Sequence, residues 1–293
     1  MSSLVLHIIM SMLQMSPVFT LAAFGQLLTQ KSGVHNLGIE GIMASGAVFA
    51  VYAYAAGLGN WMGLFTGFVI GLVYGVLLGV LCVKLKLDQI VVGFGVWFLG
   101  LGVAGAMYGI LLAPKHIVVP KIPDIVFGLD PIFFLSIALL AFFMFFFSKM
   151  KWGLAVKAVG ENPMVADSAG VDVEKVRLIC AILASGLMGL SGAYLAVDVL
   201  QGFNYKMIAG YGWMAFALVI FGRWNTLYVF LGSLLFTGIT AVSTGLTVMG
   251  IIFMPLSFVS VLPHIGVLVA LTVSSIRAKE TGMPAALGQP YKK

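Results

Sequence analysis

The sequence predicts an all-α fold, a polytopic membrane helix bundle. Three observations carry that expectation. Of the 293 residues, 61% are hydrophobic and only 9% are charged, with a mean hydropathy of +1.11. Apolar runs of membrane length recur along the whole chain. The basic residues collect on alternate connections between those runs. A water-soluble domain carries roughly 25% charged residues and could not bury this much apolar surface. No polar block is long enough to build a second core, so residues 1–293 read as one transmembrane domain.

A helical span needs about 20 predominantly apolar residues. Nine segments qualify: 4–28, 37–59, 61–83, 89–113, 131–148, 178–199, 208–222, 225–247 and 257–275. The first begins "MSSLVLHIIM", which has no basic leader and reads as a retained span, not a cleaved signal. It contains Pro17, which predicts a kink or a later start. The second opens with Asn, Gly and Glu in "HNLGIEG". The third carries Gly63, Gly67, Gly71, Gly75 and Gly79 at every fourth position, a side-chain-free stripe suited to close helix packing in lipid. In the sixth, Gly186, Gly189 and Gly192 with Ser185 and Ser191 offer a similar surface. The seventh is the weakest, because Gly210 and Gly212 shorten it. Cys82 and Cys180 lie inside apolar runs, with no spacing that indicates a disulfide or a metal site.

Charge orients the bundle. With nine crossings, one set of connections (29–36, 84–88, 149–177, 223–224 and the tail from 276) holds thirteen of the sixteen Lys and Arg residues. The other set holds only Lys115, Lys121 and Lys206. The positive-inside rule then predicts an N-outside, C-inside chain. The net charge of +6 therefore reflects orientation, and no nucleic-acid partner is expected.

Two connections are long. Residues 114–130 hold Pro114, Pro120 and Pro123 and read as an external, extended loop. Residues 149–177 are the one extended polar stretch on the cytoplasmic side. There Asn162 is placed as an N-cap with Pro163 at the first helical position. Gly170 is placed to end a short helix in the left-handed conformation, and Asp172 to cap the next one. A helix this short needs support from the bundle or from a partner. The loop is either a solvated linker or a docking helix for a cytoplasmic partner.

At this point the residues resemble a known family. "GVHNLGIEGIMASGA", "GENPMVADSAGVDVEKVRLICAILASGLMGLSGAYLA" and "GYGWMAFALVIFGRWNTL" are similar, in order, to three stretches of the permease subunits of nucleoside-type ABC importers. Those permeases belong with the ribose and branched-chain amino acid permeases. The resemblance implies a translocation pathway shared with a second permease, a paralogue or a second copy of this chain. It implies a cytoplasmic ATPase subunit or pair, an extracytoplasmic substrate-binding protein, and residence in the bacterial inner membrane. The 149–177 loop then holds the coupling helix, and the role of contacting the ATPase passes to Gly160, Glu161, Asn162, Pro163, Ala169 and Gly170. Set against the ribose type, the resemblance starts at what would be that type's second helix, and Gln26 and His35 depart from the usual residues.

Within that frame Asn36 and Glu40 have two readings. They satisfy backbone groups at the turn into the second helix, where the helix dipole tolerates an anion, or they line the cytoplasmic mouth of the pathway or its gate. Phe94, Trp97, Trp213 and Phe216 are either core and interfacial aromatics or rings on which a base stacks in passage. Asp198, with Gln201 and Asn204 beyond it, faces either the binding protein or the headgroup layer. The expected function is import of nucleosides or a related small polar solute. The alternatives are a permease for riboflavin or a sugar, or an ATP-independent secondary transporter. No P-loop is present, so the chain is expected to be no enzyme and to bind no cofactor of its own. ATP and Mg belong to the ATPase partner.

Overall fold

The computed structural model describes residues 2–112, 117–204, 207–208, 210–248, 265, 269 and 282–291. Among them the regular structure is helical: α1 Ser2–Lys31, α2 Ile39–Ala55, α3 Gly59–Gly79, α4 Gln89–Met107, α5 Pro131–Lys149, α6 Lys151–Glu161, α7 Pro163–Ser168, α8 Val173–Tyr194, α9 Tyr211–Phe221 and α10 Thr226–Val248. Helices α3, α4 and α8 each run on into a π-helical turn, Val80–Lys84, Tyr108–Leu112 and Leu195–Val199. Six helical stretches among the described residues are long and apolar enough to cross a membrane, while α2 and α9 are shorter apolar helices. The expected ninth segment, 257–275, lies outside the described residues apart from Ile265 and Val269, as does part of the tail.

Helix α8 is the axis of the bundle. The α3 glycine stripe lies along it. A Cβ on Gly75 would sit 2.6 Å from the Ile182 Cα, and one on Gly79 would sit 2.5 Å from the Leu178 side chain. Gly189 faces back onto Gly67 and Gly71. The expected stripe is thus a backbone-to-backbone seam, the packing available where lipid gives helices no hydrophobic reason to associate. On the other side α1 runs antiparallel to α8, with Ser191 Oγ donating to Val18 O. Pro17 is accommodated within α1 without ending it. It leaves Leu13 O without its helical donor, and Ser16 Oγ supplies one at 2.9 Å.

The connections sort onto two ends. At one, residues 32–35, 85–88, 150–172, 222–225 and 282–291 meet. Lys86 pairs with Glu174 at 3.5 Å, the His35 N–H donates to Gln89 Oε1 at 2.7 Å, and the Ala286 N–H donates to Gly160 O at 2.9 Å. At the other, residues 117–130 cover the ends of α3 and α8. Asn60 Nδ2 donates to Pro120 O at 2.6 Å, and the Val119 N–H donates to Gln201 O at 2.9 Å. Of the described Lys and Arg residues, Lys121 alone belongs to this second end.

Candidate functional site

The first part of the site is the α6–α7 end. Helix α6 was not expected from the sequence. Its buried face, Gly153, Val156, Val159 and Gly160, lies on the bundle, and Gly153 packs on the backbone of Phe146. The chain then turns at Asn162, whose side chain accepts from the Val165 N–H at 3.1 Å and so caps α7. Pro163 is the first residue of that helix. Gly170 has φ +85°, and a Cβ there would meet nothing within 4 Å among the described residues. Asp172 Oδ1 accepts from the Lys175 N–H at 2.9 Å and starts α8. Of the residues expected to couple, Glu161, Asn162, Ala169 and Gly170 are exposed, Pro163 is half-buried, and Gly160 is buried. Met164 and Val165 are 68% and 63% exposed, so an apolar knob points away from the bundle. Ala166, on the opposite side, is buried.

The second part is a junction deep in the bundle. After α1 the chain makes a turn at Gly33 (φ +86°). It then climbs beside α8 until Asn36 Nδ2 lies 3.4 Å from both Ser185 Oγ and Met188 Sδ, halfway along that helix. Asn36 Oδ1 accepts from the Gly38 N–H at 2.9 Å, and α2 begins there. Helix α9 begins at the same place from the other direction, after Gly210 at φ +87° with no side-chain cap of its own. Glu40, in the first turn of α2, supplies the acceptor: Gly210 N–H donates to its Oε1 at 3.2 Å. Gly212 allows the approach, since a Cβ there would lie 2.5 Å from the Glu40 Cα. The carboxylate carried by the first turn of α2 thus serves the N-terminus of α9, and both helices turn a positive dipole end toward it. Glu40 is only 6% exposed, and its Oε2 has no hydrogen-bond partner among the described residues. The Trp213 backbone N–H also faces the carboxylate.

Aromatic rings border this junction. Trp97 and Trp213 meet edge to face at 5.4 Å, Phe94 lies 5.9 Å from Trp97 and 6.2 Å from Trp213, and Phe216 lies 6.2 Å from Trp213. His35 stacks on Phe216 at 6.1 Å. The rings singled out in the sequence are thus one cluster, half-buried except for Phe94, which is 37% exposed. Helix α4 reaches the junction because Gly41 packs directly on the Trp97 backbone and Gly38 on Val96. The glycines of "VHNLGIEG" are therefore contact points. The buried Trp97 Nε1 has no acceptor among the described residues.

Asp198 lies elsewhere. It is 3% exposed, and its Oδ1 accepts from the Ile122 N–H at 2.8 Å, so it fastens the 117–130 loop to the end of α8. Gln201 takes φ +53° and holds Val119 through its carbonyl. Gln26 is fully buried in α1, and neither amide atom has a partner among the described residues.

A third feature was not singled out. Residues 282–291 return across the α6–α7 end. Ala286 and Gly288 donate from their backbone N–H to Gly160 O at 2.9 Å and to Gly33 O at 3.1 Å. Arg177, 2% exposed, donates through Nε to Ser32 O at 3.1 Å and through Nη1 to Gln289 O at 2.8 Å. A cation at the start of a span, Arg177 in the first turns of α8, was the available signal.

With this geometry in hand, comparison with known proteins gives consistent matches. The family model described as "Branched-chain amino acid transport system / permease component" matches residues 8–271. A guanosine ABC transporter permease protein of Bacillus subtilis (strain 168) is 30% identical, covering 93% of this chain and 92% of its own length. A nucleoside ABC transporter permease protein of Lactococcus lactis subsp. cremoris (strain MG1363) is 30% identical, covering 91% of both chains. A putative glucose ABC transporter permease protein of Haloferax volcanii is 29% identical over 76% of this chain and 72% of its own. No solved structure matches.

Proposed function

Since the chain belongs to the permease-component family of branched-chain amino acid transport systems, we propose that it builds the translocation pathway of an ATP-driven nucleoside importer. It is an ABC-type permease subunit in a multi-pass membrane setting. The observation that carries the nucleoside reading is the pair of relatives named for guanosine and nucleoside transport, each aligned over more than nine-tenths of this chain. The junction suits such a solute. Planar rings offer sequence-tolerant stacking, worth about 1–3 kcal/mol per base in other settings. The Oε2 of Glu40 and the Nε1 of Trp97, neither with a partner among the described residues, offer one acceptor and one donor.

The chain then works with a second permease, a cytoplasmic ATPase pair and an extracytoplasmic binding protein. It lies N-outside and C-inside in the bacterial inner membrane, as one domain. The charge bias supports this orientation, because it places the capped, solvent-facing α7 on the side where an ATPase is found. Glu161, Asn162, Pro163, Ala169 and Gly170 meet the ATPase, and Gly160 supports them from beneath. ATP and Mg are bound by the partner. Movement of a capped helix against the bundle is a rigid-body route for coupling.

The test is reconstitution in proteoliposomes with the ATPase and binding protein. Uptake of labelled guanosine that requires ATP is expected. Uptake of glucose in place of nucleosides would favour a sugar importer, as the Haloferax relative's name allows. Uptake without any ATPase would sink the importer reading. Glu40→Gln keeps size but removes the charge, and lost contacts to a charged group are worth about 1.5–3 kcal/mol. Guanosine uptake at least roughly tenfold lower in a complex that still assembles is expected.

A further inference from the structure

Residues 282–291 touch three separate pieces of the α6–α7 end. They bond to α6 through Gly160 O, and the Ala285 N–H donates to Glu161 Oε2 at 3.4 Å. They bond to the α1–α2 turn through Gly33 O. They press on the α9–α10 turn, where a Cβ on Gly282 would lie 2.5 Å from Arg223 O. Tyr291 then reaches the far side of the coupling unit and lines a shallow hollow with Asp167, Gly170, Asp172 and Glu174. Ala286 is 5% exposed, so the contact is packed as well as hydrogen-bonded.

The places it touches are the lower ends of the two routes that converge on Glu40. One runs from Gly33 through Asn36 into α2. The other runs from Arg223 up α9 to Gly210, which donates to Glu40. The α9–α10 turn is itself held in an uncommon shape. Arg223 and Trp224 both take left-handed φ, 51° and 54°, and Trp224 Nε1 donates to Gln30 Oε1 at 2.6 Å. Such a turn has few alternative conformations to relax into.

Arg177 joins these pieces. Its fork reads a carbonyl on each side, Ser32 O in the α1–α2 turn and Gln289 O in the returning segment, a geometry a lysine cannot reproduce. Gly33 lets it in, since a Cβ there would lie 2.7 Å from Nη2. No described carboxylate forms an ion pair with Arg177. The guanidinium is therefore spent on bridging two backbone segments.

We infer that residues 282–291 form a strap, with Arg177 as its positioning residue, that transmits movement of the α6–α7 unit to both half-length helices at the Glu40 junction. This rests on the importer reading. A bundle lacking the strap still binds the ATPase through the exposed side of α7, but hydrolysis no longer moves α2 and α9 in step.

The test uses the full importer in proteoliposomes. ATP hydrolysis and solute uptake are read from the same vesicles, and ATPase co-purification reports assembly. Three variants are compared with the natural chain: R177K, R177Q and a chain ending at residue 281. Each is expected to retain the ATPase and its hydrolysis within about twofold, while solute moved per ATP falls by about tenfold, within the range of measured coupling energies. R177K should fall like R177Q, because the fork and not the charge is lost. A merely structural role would lower hydrolysis and uptake together and leave the ratio unchanged. An unchanged ratio in assembled variants overturns the inference. So does failure of all three to assemble, which would assign the strap to folding alone. A natural chain that recruits no ATPase sinks the importer reading instead.

Discussion

The capped loop around α7 and the junction at Glu40 are both built from helix N-termini, but they are built at different ranges. At α7 the caps are local: Asn162 caps a residue three positions on, and Asp172 does the same for α8. At the junction the N-terminus of α9 is satisfied by a carboxylate 170 residues away in sequence. The first arrangement survives as the surrounding bundle moves, which suits a lever. The second exists only while two helices stay in register, which suits a point that responds to movement.

One substitution made in both regions sharpens the contrast. At Gly212 an added methyl meets the Glu40 backbone at 2.5–2.6 Å. Overpacking of this kind costs about 1–3 kcal/mol, and here it also pushes α9 from its acceptor. Gly212→Ala should lower the thermal unfolding midpoint and abolish uptake. At Gly170 an added methyl meets nothing, and only the left-handed φ is penalised, by about 1–2 kcal/mol. Gly170→Ala should leave the bundle's melting unchanged and weaken only ATPase binding. Equal melting of the two variants would erase the distinction between local and long-range construction.

A smaller effect is expected from the cap. Asn162→Ala removes the bond to the Val165 N–H, worth about 1 kcal/mol. The six residues of α7 have little other support apart from buried Ala166. Hydrogen exchange should therefore speed up at Val165 and Ala166, with the exchange of α8 beyond Asp172 unaffected. Faster exchange spreading into α8 would show that the loop is not a self-contained unit.

The same distinction decides what could be read from the sequence. Asn162, Pro163, Gly170 and Asp172 announce a short capped helix because each acts on neighbours within a few residues. The α3 stripe is legible as a close-packing surface because its period matches a helix, while its partner, α8, is known only from the fold. The junction is not legible in the same way. Gly210 and Gly212 read as flaws in a span until Glu40 is found packed against them. Asn36 and Glu40 read as belonging to a turn near the membrane edge, whereas the chain climbs half the length of α8 before α2 begins. Helix α6 was hidden because its buried face is small, two glycines and two valines, among Lys151, Lys157 and Glu161. The strap has no periodicity at all and is defined only by what it touches.

The smallest expected effect lies where strap and junction meet. His35 stacks on Phe216 and lies against Gly288, where a Cβ would sit 2.9 Å from its ring. Its Nδ1 is buried with no partner among the described residues, and burial pushes its pKa below the ordinary 6.5. The folded protein therefore holds the neutral ring, while the unfolded chain takes up a proton first as pH falls. Stability contributed by the neutral ring is full above the ordinary value and is lost as pH drops through it toward the lowered one. Melting of the detergent-solubilised protein should be flat above neutrality and decline toward about pH 5, within the range where histidines titrate. His35→Phe keeps the stack on Phe216 and removes the proton site, so its decline should be shallower. If the two proteins follow the same pH curve, the strap's hold on the α1–α2 turn does not depend on the charge of His35.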